Sequence, residues 1–279
     1  YEFSACLVGS EMCIRDRLQH ALRDGYAVGQ FNINNLEWVG AVLSTAQQCR
    51  SPVILGGSGG TVKHMLGLKC IHDIVVNAME YLHIDVPVAL HLDHGTSREA
   101  CEAAIAAGFS SIMFDGSHLP FRENLAITRH LVTLAHSKGI SVEAELGTIA
   151  GSEDGIVNSE VIYADPQECY TLVTETQVDC LAAALGSTHG LYKGKARLGF
   201  TEMKAIAEQV KVPLVLHGGT GIADEDMRRA IACGTAKINV NTENMYAWCQ
   251  QVKAIFAADT GHDVNDPRKV IAQGLQPVR

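Results

Sequence analysis

The chain has 279 residues, of which 47% are hydrophobic and 19% are charged, and its formal net charge is −9. This composition can fill a sizeable core and excludes a largely disordered chain, and no run approaches the roughly 18 apolar residues of a membrane span. The negative charge argues against a nucleic-acid partner, and nine cysteines without a C-x-x-C pair indicate free thiols in a reducing, cytoplasmic compartment.

The first 17 residues show no clear helical or strand period, so residues 1–17 are expected to be an extension outside the fold. From Leu18 onwards, apolar strand segments alternate with amphipathic helices, and a single domain is expected over residues 18–279. Strands are predicted at residues 27–32, 52–56, 86–92, 110–114, 140–146, 180–185, 212–216 and 236–240.

Capping residues indicate where several helices begin and end. A capping box that begins at Thr96 starts one helix, and Gly108 ends it. Asp165, which precedes a proline, starts another helix, and Asp224 is expected to cap a third. Eight strands that alternate with helices predict a single-domain α/β fold, the (β/α)8 TIM barrel. An open doubly wound sheet is the rival fold, but the glycines at residues 56–60 lack the full G-x-G-x-x-G spacing of its nucleotide loop.

Three predicted strands lead into a histidine where they end: His94, His189 and His217. The C-terminal ends of barrel strands form one face, so these side chains are expected to lie together. Three imidazoles with one position left open are what a catalytic zinc ion requires. Any single histidine is more readily a packed or surface residue, as we expect for His91 inside its strand, but the three together predict a metal site. Asp93 places a carboxylate beside the first of them.

Two further loops at the same face favour an anion. Residues 217–221 are His-Gly-Gly-Thr-Gly and residues 239–242 are Asn-Val-Asn-Thr, after the seventh and eighth predicted strands. Backbone N–H groups in this part of a barrel commonly bind phosphate, and glycine lets the backbone approach closely. The alternatives are ordinary loops and, for the nearby Lys193, a solvated side chain instead of a phosphate ligand.

These motifs occur together, and in the same order, in one known family. The class II, zinc-dependent fructose-bisphosphate aldolases have segments that resemble residues 26–32, 93–94, 142–147, 186–190, 217–221 and 237–244. The resemblance runs from about Leu18 to the end of the chain. Tagatose-bisphosphate aldolases share most of it, and the residues around Asn241 and Asn244 look more like the fructose-bisphosphate branch.

The resemblance implies reversible cleavage of a ketose 1,6-bisphosphate into dihydroxyacetone phosphate and glyceraldehyde 3-phosphate. It implies that His94, His189 and His217 bind the zinc ion and that Asp93 exchanges a proton with the C4 hydroxyl. Glu153, in the loop after the fifth strand, matches the family's candidate base for the C3 proton. The substrate-binding positions implied in the same way are Asn32, Ser58, Gly190, Lys193, Gly218, Gly219, Thr220, Asn239, Val240, Asn241, Thr242 and Arg268.

The resemblance also implies further ions and a partner subunit. Asp115 and Glu145 match positions that take an alternative or second divalent ion, and a monovalent cation, Na⁺ or K⁺, is a further expected ligand. A homo-oligomer, dimer or tetramer, is implied because Arg268 matches a segment that lends an arginine to a neighbouring subunit's phosphate. We expect the family's final helix to be missing after Arg279.

Three rival functions fit part of the sequence. A lysine-based aldolase needs a lysine at the C-terminal end of a strand, whereas Lys237 is predicted at the start of the eighth strand, at the opposite end of the barrel. A metal-dependent hydrolase would use zinc to activate water, but it leaves the two phosphate loops unexplained. A non-catalytic sugar-phosphate sensor would bind the same ligand without turnover.

Overall fold

A computed structural model of the chain describes residues 14–153, 156–158, 161–192, 194–258 and 264–278, without the side chains of residues 152, 153 and 156–158. The helices, in chain order, are α1 (Ile14–Asp24), α2 (Leu36–Cys49), α3 (Gly59–His64), α4 (Leu68–Tyr81), α5 (Arg98–Ala107), α6 (Phe121–His136), α7 (Pro166–Thr176), α8 (Phe200–Val210), α9 (Asp224–Ala232), α10 (Thr242–Ala258) and α11 (Pro267–Gly274). None of the helices within these ranges is long and apolar enough to cross a membrane.

The strands form a closed barrel and a small second sheet. In chain order they are β1 (Val28–Asn32), β2 (Val53–Gly57), β3 (Val88–Gly95), β4 (Ser111–Phe114), β5 (Ser141–Leu146), β6 (Ala150–Glu153), β7 (Ile156–Asn158), β8 (Cys180–Ala183), β9 (Thr188–His189), β10 (Leu214–Leu216) and β11 (Thr235–Val240). The barrel contains β1, β2, β3, β4, β5, β8, β10 and β11, all parallel and adjacent in chain order, with β11 closing onto β1. The predicted (β/α)8 TIM barrel is therefore confirmed. The second sheet, in the order β7-β6-β9, was not predicted.

The predicted helix ends are confirmed in part. The Asp165 side chain accepts hydrogen bonds from two backbone N–H groups of the first turn of α7, and Gly108 ends α5 with φ +95°. The predicted cap at Thr96 is wrong by one residue, because the Ser97 hydroxyl accepts the N–H bond at the start of α5. Asp224 does not cap α9 but is its first helical residue, where a negative charge still favours the positive end of the helix dipole.

The N-terminal end of the barrel is closed by α1. Ile14, Leu18 and Ala21 of this helix pack on the apolar side chains inside the lower barrel. Of the predicted extension, residues 1–17, the first 13 lie outside the described ranges and residues 14–17 belong to α1.

Higher in the barrel the interior is polar. His91, predicted as a packed residue, is 1% exposed with its Nδ1 2.8 Å from Ser111 Oγ, and burial lowers its pKa to about 3.

The cysteines of the described ranges are free thiols, and their burial predicts their reactivity. Cys49 and Cys249 are exposed, whereas burial raises the pKa of Cys101 and of Cys169 to about 12. Because the thiolate is the nucleophile, we expect DTNB at pH 8 to modify the two exposed cysteines first and the two buried ones only after unfolding. Peptide mapping by mass spectrometry tests this order. Modification of Cys101 as fast as that of Cys49 would contradict it.

Candidate active site

Asp93 and His94 reach the same site because β3 carries an extra residue near its end. The register of β3 against β4 shifts between Leu92 and Gly95, so two residues of β3 face one residue of β4. His94 lies within this bulge with φ +49°, in the left-handed region. Successive side chains of a regular strand point to opposite faces, and a bulge changes that alternation. Both functional side chains can therefore face the site.

The three predicted metal-binding histidines lie together. His94 is at the end of β3, His189 is on β9, and His217 follows β10. Their ring centroids are 4.7 Å apart for His94 and His217, 5.2 Å for His94 and His189, and 5.8 Å for His189 and His217. His94 Nε2 and His217 Nδ1 are 3.0 Å apart, and one ring nitrogen from each histidine lies within 4.8 Å of the other two. This donor set fits a metal ion that keeps an open coordination position.

Asp115 and Glu145 lie beside the other nitrogen of His94. His94 Nδ1 is 3.0 Å from Asp115 Oδ2 and 3.9 Å from Glu145 Oε2. Burial alone would raise the pKa of Asp115, but the hydrogen bond with His94 and that from Ser117 outweigh burial and hold the pKa below its usual value. Ligand atoms of His94, Asp115 and Glu145 lie within 4.8 Å of one another, so they form a second donor set.

Glu143 lies against the remaining nitrogen of His217. Glu143 Oε1 is 2.8 Å from His217 Nε2, and both side chains are 1% exposed. Burial lowers the pKa of His217, with a partly opposing effect of this hydrogen bond, and so favours the neutral imidazole that binds metal ions. His94 and His217 thus each have one ring nitrogen in contact with a carboxylate and the other directed at the ring of the other histidine.

Asp93 is a buried carboxylate beside these rings. Asn32 Nδ2 donates to Asp93 Oδ2 at 2.9 Å, and Asn239 Nδ2 donates to Asp93 Oδ1 at 3.3 Å. Burial alone would raise the pKa of Asp93, but its electrostatic interactions with His94, His217 and Lys237 hold it below its usual value. The side chain is therefore ionised and able to accept a proton at the edge of the metal-binding set.

A cavity of about 420 Å³ opens at this face of the barrel. The predicted site residues that line it are Asn32, Ser58, His189, Gly190, Gly218, Thr220, Asn239, Asn241 and Thr242. Thr242 is the first residue of α10, and Gly218 belongs to the glycine-rich loop after β10. A helix N terminus and a glycine-rich loop in one wall offer backbone N–H groups, which suit a phosphate.

The other predicted substrate-binding residues lie elsewhere. Gly219 and Val240 are next to the lining residues but are not among the described residues that line the cavity. Arg268, on α11, is 89% exposed and forms an ion pair with a neighbouring aspartate, outside this cavity. Lys193 and the side chain of Glu153, a residue of β6, lie outside the part of the chain that the structure describes.

Comparison with known proteins identifies the family. A family model described as "Fructose-bisphosphate aldolase class-II" matches residues 13–279. The chain belongs to this aldolase family. The fructose-bisphosphate aldolase of Geobacillus stearothermophilus is 54% identical over 270 residues, which cover 97% of this chain and 93% of the relative. A Bacillus subtilis protein named probable fructose-bisphosphate aldolase is 52% identical over 264 residues, which cover 95% of this chain and 92% of the relative.

Solved structures with similar folds are also aldolases by name. The YdjI aldolase of Escherichia coli K12 superposes with a TM-score of 0.79 at 34% identity, over 97% of this chain and 96% of that one. A putative fructose-1,6-bisphosphate aldolase of Coccidioides immitis gives a TM-score of 0.81 at 29% identity, over 93% and 90%. The predicted family and the predicted barrel are both confirmed.

The candidate site contains residues that the sequence did not single out. Tyr192 is one: its hydroxyl accepts from Thr188 N–H at 3.0 Å and donates to Gly218 O at 3.1 Å, so it joins the strand that carries His189 to the loop after His217. The outer cavity wall also includes Asn34, Asn35, Trp38, Gly60, Thr61, His64, Met245, Trp248 and Cys249. These residues belong to no sequence motif, because helices that are far apart in the sequence bring them together.

Lys237 is not at the C-terminal end of its strand, as predicted, although it lies one residue further into the strand than expected. Its Nζ is 2.6 Å from Glu143 Oε2, and the other oxygen of Glu143 contacts His217 Nε2. The strand begins one residue earlier than predicted, at Thr235, and the long side chain extends from mid-strand to a carboxylate that touches a histidine of the site.

Proposed function

We propose that this chain cleaves fructose 1,6-bisphosphate reversibly into dihydroxyacetone phosphate and glyceraldehyde 3-phosphate, as a zinc-dependent, cytoplasmic homo-oligomer. The observation that carries the proposal is an ionised Asp93 beside three converging imidazoles, one of which, His189, lines a cavity whose wall holds two candidate phosphate-binding elements. Relatives above 50% identity that are named fructose-bisphosphate aldolase support the same substrate.

His94, His189 and His217 would hold the zinc ion. When bound, the ion supplies a Lewis acid for the negative charge that develops on the substrate as the C3–C4 bond breaks. Asp115 and Glu145, which share His94 with this set, would hold an alternative or second divalent ion.

Asp93 would take the proton of the C4 hydroxyl in the cleavage direction and return it in condensation. The electron pair of the breaking C3–C4 bond moves towards C2, and C3 then needs a proton, for which Glu153 is the proposed donor. The two amide donors that hold Asp93, Asn32 and Asn239, keep its carboxylate fixed. Positioned acid–base groups of this kind typically contribute about 10²–10⁴-fold to the rate.

The substrate phosphates would bind at the glycine-rich walls of the cavity. Gly190, Gly218 to Thr220 and Asn239 to Thr242 would receive the dihydroxyacetone phosphate end, with Lys193 and a Na⁺ or K⁺ ion adding positive charge. Asn32 and Ser58 line the same cavity and would contact the rest of the substrate. Arg268, exposed on α11, would reach the phosphate of a neighbouring subunit.

Removal and return of zinc tests this function. We expect cleavage of fructose 1,6-bisphosphate to fall to background after dialysis against EDTA and to return with Zn²⁺ but not with Mg²⁺, because imidazole ligands favour zinc. The assay is run beside tagatose 1,6-bisphosphate, and we expect the fructose epimer to be cleaved faster. Full activity in a sample shown by metal analysis to be free of metal would refute the zinc assignment.

A variant pair controls for the effect of losing any histidine. His94→Ala should bind no zinc at a zinc concentration that saturates the unchanged chain. His130→Ala removes a histidine that lies on the surface beside Glu102, and it should keep both zinc and activity. Bound zinc with no cleavage of either bisphosphate would instead favour the sugar-phosphate sensor.

A further inference from the structure

Lys237 and Glu143 form a buried ion pair across the interior of the barrel. Lys237 Nζ is 2.6 Å from Glu143 Oε2, and both side chains are 1% exposed. Lys237 is on β11 and Glu143 is on β5, which are not neighbours in the barrel, so the contact spans its interior. Branched apolar side chains usually fill that space, and a buried ion pair is a weak source of stability. The pair therefore calls for a role other than packing.

A bulge in β11 directs Lys237 inward. Against β10, Leu214 pairs with Thr235 and Val215 pairs with Lys237, so Ala236 is an extra residue. Ala236 belongs to the apolar cluster inside the lower barrel, and Lys237 also reaches an interior side chain. Consecutive residues of a regular strand would not both point inward.

The second oxygen of Glu143 contacts a residue of the proposed metal site. Glu143 Oε1 is 2.8 Å from His217 Nε2, whereas His217 Nδ1 faces His94 Nε2 at 3.0 Å. A hydrogen bond donated by Nε2–H leaves the lone pair of a neutral imidazole on Nδ1. Burial alone would raise the pKa of Glu143, but the charge of Lys237 and the bond with His217 hold it well below its usual value.

We propose that Lys237 is a positioning residue of the metal centre: by binding one oxygen of Glu143, it fixes the other oxygen on His217 Nε2 and so keeps the lone pair of the His217 ring on Nδ1, the nitrogen that would bind the metal. The inference rests on the proposed function, since it takes His217 as a zinc ligand. Carboxylates that orient metal-binding histidines commonly contribute 10- to 100-fold to metal affinity. Here the orienting carboxylate is itself oriented by Lys237.

Replacing Glu143 by glutamine makes the role of Lys237 measurable. A glutamine side chain has one acceptor group and one donor group, and lysine can only donate. Lys237 would take the amide oxygen, so the amide NH₂ would face His217 Nε2, which must then accept. The imidazole proton moves to Nδ1, the nitrogen that the metal needs. If Lys237 is also removed, the amide can turn its oxygen towards His217 Nε2 again.

The experiment measures zinc affinity of the full chain by competition with a chromophoric chelator, using zinc alone. We expect Glu143→Gln to bind zinc about 10- to 100-fold more weakly and the double variant Glu143→Gln/Lys237→Met to recover most of that loss. Ser111→Ala is the matched control, because Ser111 is a buried polar residue of the same interior that contacts His91 and not Glu143. Its zinc affinity should equal that of the unchanged chain.

Two results would overturn the positioning role: a Glu143→Gln variant with unchanged zinc affinity, or a double variant that binds zinc no better than Glu143→Gln. If Glu143→Gln does not fold, ¹⁵N chemical shifts of the His217 ring in the unchanged, metal-free chain decide. The Nε2–H tautomer supports the role and the Nδ1–H tautomer overturns it. An unchanged chain that binds no zinc refutes the proposed zinc site itself, so the two failures are distinct.

Discussion

Asp93→Asn is expected to lower kcat for fructose 1,6-bisphosphate cleavage by about 10²–10⁴-fold while the zinc content stays the same. The change keeps the size of the side chain but removes the carboxylate that would accept the C4 hydroxyl proton. Asp93 contacts Asn32 and Asn239 and is outside both candidate metal donor sets, so the metal should remain bound. Steady-state kinetics with metal analysis of the same sample tests the prediction, and KM should change far less than kcat.

A matched variant, Asp179→Asn, distinguishes the loss of proton transfer from the general effect of replacing a buried carboxylate. Asp179 is 4% exposed and precedes β8, where it accepts from Val142 N–H at 2.7 Å and lies 2.8 Å from His136 Nε2. Asp179→Asn should lower stability, because it disturbs buried hydrogen bonds, but leave kcat close to that of the unchanged chain. An Asp93→Asn variant with the kcat of the Asp179→Asn variant would mean that Asp93 has no part in proton transfer.

The sequence was sufficient to predict the barrel and the position of its site, because each apolar strand segment is followed by polar residues. Each apolar run is a strand buried on both faces, and the polar residue that follows it must lie at the C-terminal face. This is why the sequence alone predicts that His94, His189 and His217 lie together. Their distances from one another, and which ring nitrogen points where, depend on backbone details that periodicity does not contain.

Bulges are the main reason why the rest of the site could not be predicted. A one-residue shift in register moves a side chain from one face of a strand to the other, and the sequence does not show where such shifts occur. The bulge in β3 brings Asp93 and His94 to one site, and the bulge in β11 turns Lys237 inward. Glu143 lies within the segment of residues 142–147 that resembles the family, but its role is shown only by its contacts with His217 and Lys237.

Gly218→Ala is expected to lower the rate of cleavage by about 10²-fold or more, because it separates two of the metal-binding segments. A Cβ atom on Gly218 would lie 2.2 Å from the backbone carbonyl oxygen of Thr188, and no side-chain rotation can separate the two, because the backbone fixes the position of Cβ. Gly218 follows His217, and Thr188 precedes His189, so the contact can be relieved only by moving the two histidines apart. A displacement of about 1 Å at a catalytic centre costs on the order of 10²-fold in rate.

The matched control is Gly221→Ala in the same loop. Gly218 has φ +66° and Gly221 has φ +74°, so either alanine adds left-handed strain of about 1–3 kcal/mol to the free energy of folding. A Cβ atom on Gly221 would be 3.8 Å from its nearest neighbour, a ring carbon of Tyr192, which is ordinary contact. Denaturant unfolding should therefore show a loss in both variants, whereas only Gly218→Ala should lose zinc affinity and activity. Equal activity in the two variants would mean that the loop tolerates the contact and that His217 and His189 are not held at a fixed separation by the backbone beside them.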